Sequence, residues 1–336
     1  MSGRIVAALG GNALIRRGQP GSMEVQRANL RAAARALADV ARSGADLVVT
    51  HGNGPQVGYL ALEAEAARSI VDPPPLDVLV AESQGQIGYL VVQALEAELE
   101  ERGDPRPVVA VLTRTLVSPR DRAFARPTKP VGPTYDAATA RTLAAANGWA
   151  VARDGAHWRR VVASPMPLAI QEAGPIRSIV DAGAIVVASG GGGIPVAHAR
   201  RGLMGVEAVV DKDLAAVELA IAVDAGTLLL LTDVNGVHPS SDDLSGEPLT
   251  ALTLEEADAG LTEGRFPAGS MGPKVQAAAS FVRRTGGRAF IGRLDEAAAI
   301  LTGDAGTRIG READLRSLSA MGGRRPAILT GNGKGR

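Results

Sequence analysis

The chain is 336 residues long, too long for one ordinary domain and too short for three, so one large domain with an excursion or two domains is expected. Its 36 basic and 36 acidic residues cancel, and only 3% of residues are aromatic. That leaves neither the basic footprint of a nucleic-acid or anionic-membrane binder nor a base-stacking surface. There is no cysteine, which excludes disulfides, a thiolate nucleophile and cysteine-held zinc or iron–sulfur sites.

From the N-terminus, Ile5–Leu9 is an apolar run that breaks at Gly10, Gly11 and Asn12, with Arg16 and Arg17 behind it rather than in front. This reads as a buried strand and not as a signal peptide, and with no uncharged apolar run of about 18 residues anywhere the expectation is a cytoplasmic protein. Val25–Ala41 alternates alanine and leucine with arginine as an amphipathic helix does. Asp46–Thr50 is a second strand, ending in His51-Gly52-Asn53-Gly54-Pro55, and a helix follows over 56–68. A helix near Ser83–Glu101 precedes a strand at Val108–Thr113. Ala184–Ala188 runs into Ser189 and four glycines, Gly190, Gly191, Gly192 and Gly193; Thr227–Leu231 runs into Asp233-Val234-Asn235-Gly236; and Arg288–Ile291 closes the series. Strands without polar alternation, joined by helices, predict an α/β fold: a three-layer αβα sandwich around a mainly parallel sheet.

Residues 118–167 break this pattern. They are proline-rich, hold both tryptophans and contain a hairpin signature, Trp149–Arg153, Asp154-Gly155, Trp158–Ala163, so a small inserted lid subdomain is expected there. The rest of 1–310 reads as one domain, and 311–336 as a loose tail.

Glycine makes up 41 of the 336 residues, about 12% against a usual ~7%, and it concentrates where the apolar runs end. In parallel sheets those loops line the ligand crevice, and backbone amides without a Cβ approach anions closely. Lysine is the other anomaly. Only Lys129, Lys212, Lys274 and Lys334 stand among 32 arginines, so a compact ammonium is retained where a guanidinium would otherwise serve. Lys212 opens a helix behind Asp211, a plausible N-cap, with Asp213 in its first turn; Lys274 also follows a glycine loop into a helix; and Lys129 stands at the entry to the lid. Three lysines on turns suited to phosphate point to one polyanionic site. There is no P-loop motif, and no G-x-G-x-x-G fingerprint follows the first strand.

Eight segments in order complete the picture: 8–14 (ALGGNAL), 50–58 (THGNGPQVG), 82–89 (ESQGQIGY), 127–133 (PTKPVGP), 190–196 (GGGGIPV), 206–215 (VEAVVDKDLA), 230–234 (LLTDV) and 268–275 (AGSMGPKV). Together they resemble the carbamate kinases of the amino-acid-kinase family. The resemblance implies reversible phosphoryl transfer between ATP and carbamate, giving ADP and carbamoyl phosphate, with Mg2+ carried by the nucleotide and a homodimer sharing its sheet across subunits. It implies carbamate at about 1–200 and nucleotide at about 201–310. Gly10, Gly11, Asn12, Gly52, Asn53 and Gly54 would face carbamate and the moving phosphoryl group. Lys129, Lys212 and Lys274 would act on the phosphates, positioned by Asp213, with Asp211 a second candidate. Gly190, Gly191, Gly192, Gly193, Asp233, Val234, Gly269, Ser270 and Met271 would line the nucleotide site. Many relatives carry lysine where this chain has Ala8, and the lid's Lys129 would substitute for it. His238 stands near the presumed adenine site, where the family often has an aromatic residue. Another kinase of this fold, or a nucleotide-binding regulator without catalysis, stays open as an alternative.

Overall fold

The computed structural model describes residues 3–16, 18–239, 246–267 and 270–319. In chain order the strands are β1 (Ile5–Leu9), β2 (Leu47–His51), β3 (Val108–Val111), β4 (Arg114–Val117), β5 (Lys129–Tyr135), β6 (Ala150–Asp154), β7 (His157–Val162), β8 (Pro167–Ile170), β9 (Ile185–Ala188), β10 (Ile194–Ala199), β11 (Gly202–Gly205), β12 (Thr227–Thr232), β13 (Ala251–Thr253), β14 (Arg288–Arg293) and β15 (Thr307–Gly310). The helices are α1 (Met23–Ala41), α2 (Gly54–Ala66), α3 (Leu76–Glu101), α4 (Ala137–Asn147), α5 (Ala173–Asp181), α6 (Lys212–Ala222), α7 (Leu254–Thr262), α8 (Met271–Thr285), α9 (Ala297–Thr302) and α10 (Glu312–Ser319).

Eight strands form the main sheet in the order β13-β15-β14-β12-β1-β2-β9-β3. It is parallel apart from the antiparallel β14–β15 pair. The pleat sorts the residues of β1 onto two cores: Val6 and Ala8 join the α5, α6 and α8 side, while Ile5, Ala7 and Leu9 join the α1, α3 and α9 side. Burial on both faces is why these strands lack polar alternation. Each fully buried Val or Leu contributes roughly 1.5–3 kcal/mol, so the central strands anchor the sandwich.

Two smaller sheets lie outside it. β11-β10-β4-β8 continues from the end of β3, a departure from the single strand expected over 108–113: Thr113 gives its amide to the Gln84 side chain, and the backbone leaves the main sheet there. β5-β7-β6 with α4 occupies the region expected as the lid, and its hairpin turns at Gly155–Ala156, with Asp154 paired to His157. Arg160 stacks over Trp149 at 4.6 Å, which gives that tryptophan a cation–π partner within the same small sheet region. The expectation of a loose tail from 311 fails for its first part. Asp314 and Leu315 donate to the Arg311 carbonyl, α10 follows, and Leu315 is buried against Gly310. Residues 320–336 lie outside the described residues.

Candidate active site

The parallel strands β1, β2, β9 and β12 end on one side of the sheet, and their exit loops meet there. Gly10 donates its amide to the Leu231 carbonyl at 2.9 Å, and a Cβ on Gly10 would sit 3.0 Å from that oxygen. Gly11–Ala13 makes one 3-10 turn. Gly52 donates to the Leu9 carbonyl, and a Cβ on it would meet both the Gly11 Cα and the Lys212 Cδ at 3.3 Å. The β1 loop, the β2 loop and the Lys212 side chain are therefore in contact, and glycine at 52 is what lets them close. Asn53 precedes Gly54 at the start of α2 and donates from Nδ2 to Ser83 Oγ at 2.8 Å.

The lysines come together. Asp211 caps α6 by accepting the Asp213 amide on Oδ1 at 3.0 Å, and its Oδ2 accepts Lys129 Nζ from the lid strand β5. Two residues on, the Asp213 carboxylate takes Lys212 Nζ at 2.6 Å on one oxygen and Lys274 Nζ at 2.8 Å on the other. Lys274 lies in the first turn of α8, so two helix N-termini and a lid strand supply the cluster. Three ammonium groups against two carboxylates leave a net positive charge.

Burial alone would raise the Asp213 carboxyl, but the charges and hydrogen bonds of Lys212 and Lys274 hold it far below the usual carboxylate range. Asp211 is also lowered: burial opposes ionisation, and the Lys129 charge and hydrogen bond with the Lys212 charge together outweigh it. Burial works against the Lys274 ammonium too, yet Asp213 raises its pKa. Lys212 goes the other way, pulled down by burial and by the neighbouring Lys274 charge despite Asp213.

The nucleotide-site candidates are more scattered. Asp233 and Val234 leave β12 beside the β1 loop, with Thr232 Oγ1 on Asp233 Oδ1 at 3.1 Å. Ser270 and Met271 open α8, the Met271 side chain packed on the core; Gly269 lies outside the described residues.

The glycine run after β9 is enclosed by protein. Gly190, Gly191, Gly192 and Gly193 are all buried, and each packs against protein. A Cβ on Gly190 would lie 2.3 Å from His51 Nε2, and one on Gly191 would lie 2.1 Å from Asn53 Nδ2. On Gly192 it would strike the Val210 carbonyl at 2.4 Å, and on Gly193 the Thr115 hydroxyl at 1.9 Å. Gly191, Gly192 and Gly193 also hold φ of +65°, +91° and +84°, a region that side chains disfavour. The amides of Gly192 and Gly193 are already given to the Ser189 and Gly190 carbonyls. These glycines let the turn pack under the His51–Asn53 loop, with Gly191 directly beneath the Asn53 side chain.

Several supporting residues carry no sequence expectation. Ser83 holds Asn53, and Gln84 ties α3 to Thr113 through both its amide atoms. Ser189, left-handed at φ +55°, is clamped by Thr50 Oγ1 on its carbonyl and by Thr113 Oγ1 on its amide. Ser83 and Gln84 stand within the 82–89 segment, the signal that could have found them. His51 Nδ1 meets the Gly52 carbonyl at 3.0 Å, and burial lowers its pKa to about 4, so it is a neutral structural donor. His238 is buried behind β12, with Nε2 on Asn235 Oδ1 at 2.8 Å.

The sequence profile of the amino acid kinase family matches residues 3–293. The chain belongs to the amino acid kinase family. Among its relatives in that family, a carbamate kinase of Pyrococcus horikoshii is 47% identical over 92% of this chain and 99% of its own length. A carbamate kinase of Escherichia coli K12 is 45% identical over 91% and 98%. The solved carbamate kinase from Giardia lamblia bound to AMP-PNP superposes with a TM-score of 0.84 at 40% identity, covering 93% of this chain and 100% of that one. Among the described residues no helix is long and apolar enough to cross a membrane.

Proposed function

We propose that this amino acid kinase is a carbamate kinase, transferring a phosphoryl group reversibly between ATP and carbamate. The observation that carries the reading is the convergence of Lys129, Lys212 and Lys274 on Asp211 and Asp213 beside the Gly11 and Gly52 loops. The full-length likeness to carbamate kinases supports it, and neither a kinase of different acceptor nor a non-catalytic sensor is favoured.

Direct in-line transfer asks little covalent chemistry of a protein. Carbamate is already an anion, so no general base is needed, and the barrier is the approach of two negatively charged groups. The loops at Gly10, Gly11, Asn12 and at Gly52, Asn53, Gly54 face carbamate and the moving phosphoryl group: Gly11, Asn12, Asn53 and Gly54 offer backbone amides, while Gly10 and Gly52, whose amides go to Leu231 and Leu9, let the two loops close. Lys212 and Lys274 bind the phosphates from fixed positions, and Asp213 keeps them in place. An arriving phosphate opposes the downward shift of Lys212 and secures its charge. Lys129 comes from the lid, exchanging Asp211 for the phosphoryl oxygens. ATP or ADP lies toward Asp233, Val234, Ser270 and Met271. Gly190, Gly191, Gly192 and Gly193 line it from beneath the His51–Asn53 loop. Both carboxylates of the cluster are engaged by lysine. Mg2+ enters as part of the nucleotide substrate, held by its phosphates.

The same reading includes a homodimer. β3 is an edge strand whose Val109 is 37% exposed, flanked by Tyr89 of α3 and Leu112 at 56% each, an apolar edge of the kind a second copy would cover. It also includes a cytoplasmic setting, where ATP and ADP are found. The test is incubation of the purified chain with ADP, Mg2+ and carbamoyl phosphate: ATP should form, and failure to form it with an intact fold rejects the reading.

A further inference from the structure

Two conspicuous glycines have no part in that chemistry: Gly58, the last residue of the 50–58 segment, and Gly132, within the 127–133 segment. The fold presses them together. Gly58 is buried in the second turn of α2, and a Cβ on it would lie 1.9 Å from Gly132 Cα and 2.3 Å from Gly132 N. Both obstacles are backbone, which cannot swing aside as a side chain can. Gly132 has φ +74°, a conformation that side chains disfavour, and a Cβ there would find Gly58 Cα at an ordinary 3.4 Å. Space therefore constrains position 58, and backbone conformation constrains position 132.

The surroundings show what this contact positions. The β5–β7 ladder shifts register between Val131 and Tyr135, a bulge that includes Gly132. Such irregularities commonly re-aim a neighbouring side chain. Lys129 lies three residues upstream on the same strand, paired with Val162. Val131 and Val162 pack with Val57 and Ala61 of α2, so the lid strand and the helix share one small core around the contact. The same α2 starts at Asn53 and Gly54, the end of the substrate loop. One rigid helix thus carries that loop at its first residue and the seat of the lid in its second turn.

We propose that the Gly58–Gly132 contact seats the lid on α2 and fixes the position of Lys129 relative to the β2 loop, making both glycines positioning residues for phosphoryl transfer. The inference rests on the role given above to Lys129. A methyl group at position 58 lifts β5 away from α2 and draws Lys129 out of register with the substrates, and a misplacement of about 1 Å can cost on the order of 10²-fold in rate.

The experiment compares Gly58→Ala, Lys129→Ala and the double variant. Gly58→Ala should lower kcat by roughly 10- to 100-fold. Its KM for ADP should stay near the parent value, because the nucleotide side is not built on the lid. Alanine favours a helix interior over glycine, so α2 itself is not weakened. The double variant should match Lys129→Ala to within about twofold, since two changes acting through one group do not add. Multiplying losses, or a near-normal kcat in Gly58→Ala beside a crippled Lys129→Ala, overturns the proposal. A near-normal Lys129→Ala would instead remove the role of Lys129. Both tryptophans, Trp149 and Trp158, are in the lid region, so their emission gives a second readout while circular dichroism shows an intact fold. Emission should change in Gly58→Ala and not in Lys129→Ala; parent-like emission in Gly58→Ala counts against a displaced lid.

Discussion

Lys212 and Lys274 are held differently from Lys129. The first two stand on helices of the sandwich and share one buried carboxylate, with side chains 14% and 10% exposed. Lys129 reaches over from a three-stranded sheet to Asp211, and its side chain is 30% exposed. Water competes for the lid pair far more than for the buried triad, so the lid pair costs less to break. The contrast suits a division of labour: a fixed anion cradle on the rigid half, and a third charge on a part that can change partners when substrate arrives.

The largest effect should come from breaking that cradle. Asp213→Asn keeps the shape and removes the charge, leaving two buried ammonium groups without a counter-ion. Destabilisation of about 3–5 kcal/mol is expected in urea unfolding. Asp211→Asn is the control. Asparagine caps a helix as well as aspartate does, and only the more exposed ion pair is lost, so the cost should be about 1 kcal/mol or less. Equal costs for the two would erase the distinction between cradle and lid.

How far this could be read from the sequence depends on the range of the interaction. The central strands and their glycine exits were legible because burial on both faces writes a continuous apolar run. Lys129, Lys212 and Lys274 stood out because arginine fills nearly every other basic position. The Asp211 cap was legible from its place before an alanine-rich helix. The partner of Lys129 was not, because 82 residues separate it from Asp211 and no local rule links them. The packing of Gly190, Gly191, Gly192 and Gly193 under the β2 loop was not legible, since a run of glycines does not say which side chain, as Asn53 at Gly191, lies against it. The β4 and β8 strands were missed because each is four residues long, too short for alternation to register. α10 was missed because its largely polar sequence gives little sign that Leu315 is buried.

Lysine-to-arginine changes sharpen the comparison next. Lys212→Arg and Lys274→Arg keep the charge but place a wide planar fork where a buried point charge fits between Asp213 and a phosphate. Each should lose about 10²–10³ in kcat, on the scale of a lost electrostatic contact in a transition state. Lys129→Arg should lose less, because its partly exposed site on a lid has room to adjust. Steady-state rates with melting curves decide it: a Lys129→Arg as damaged as the other two would mean that the lid lysine is fixed as tightly as they are.

The pH dependence of stability probes the rigid side alone. His51 is 1% exposed at the end of β2; burial lowers its pKa from 6.5 to about 4, the nearby Lys212 charge adds to the shift, and the Gly52 carbonyl opposes it. Between those values the unfolded imidazole binds a proton that the folded one does not. By linkage, stability is complete above about pH 6.5 and falls as pH drops toward 4. A shift of this size corresponds to roughly 3 kcal/mol, at 1.36 kcal/mol per pKa unit. Asp213, whose folded pKa is also depressed, adds its loss only below the usual carboxylate range, so the two windows separate. Urea midpoints from pH 7.5 to 4.5 should therefore decline in the parent and flatten in His51→Asn. The same decline should persist in Lys129→Ala, whose lid charge is not among the groups that shift His51. A slope that follows Lys129 instead would place the lid, rather than the β2 exit, in control of this part of the site.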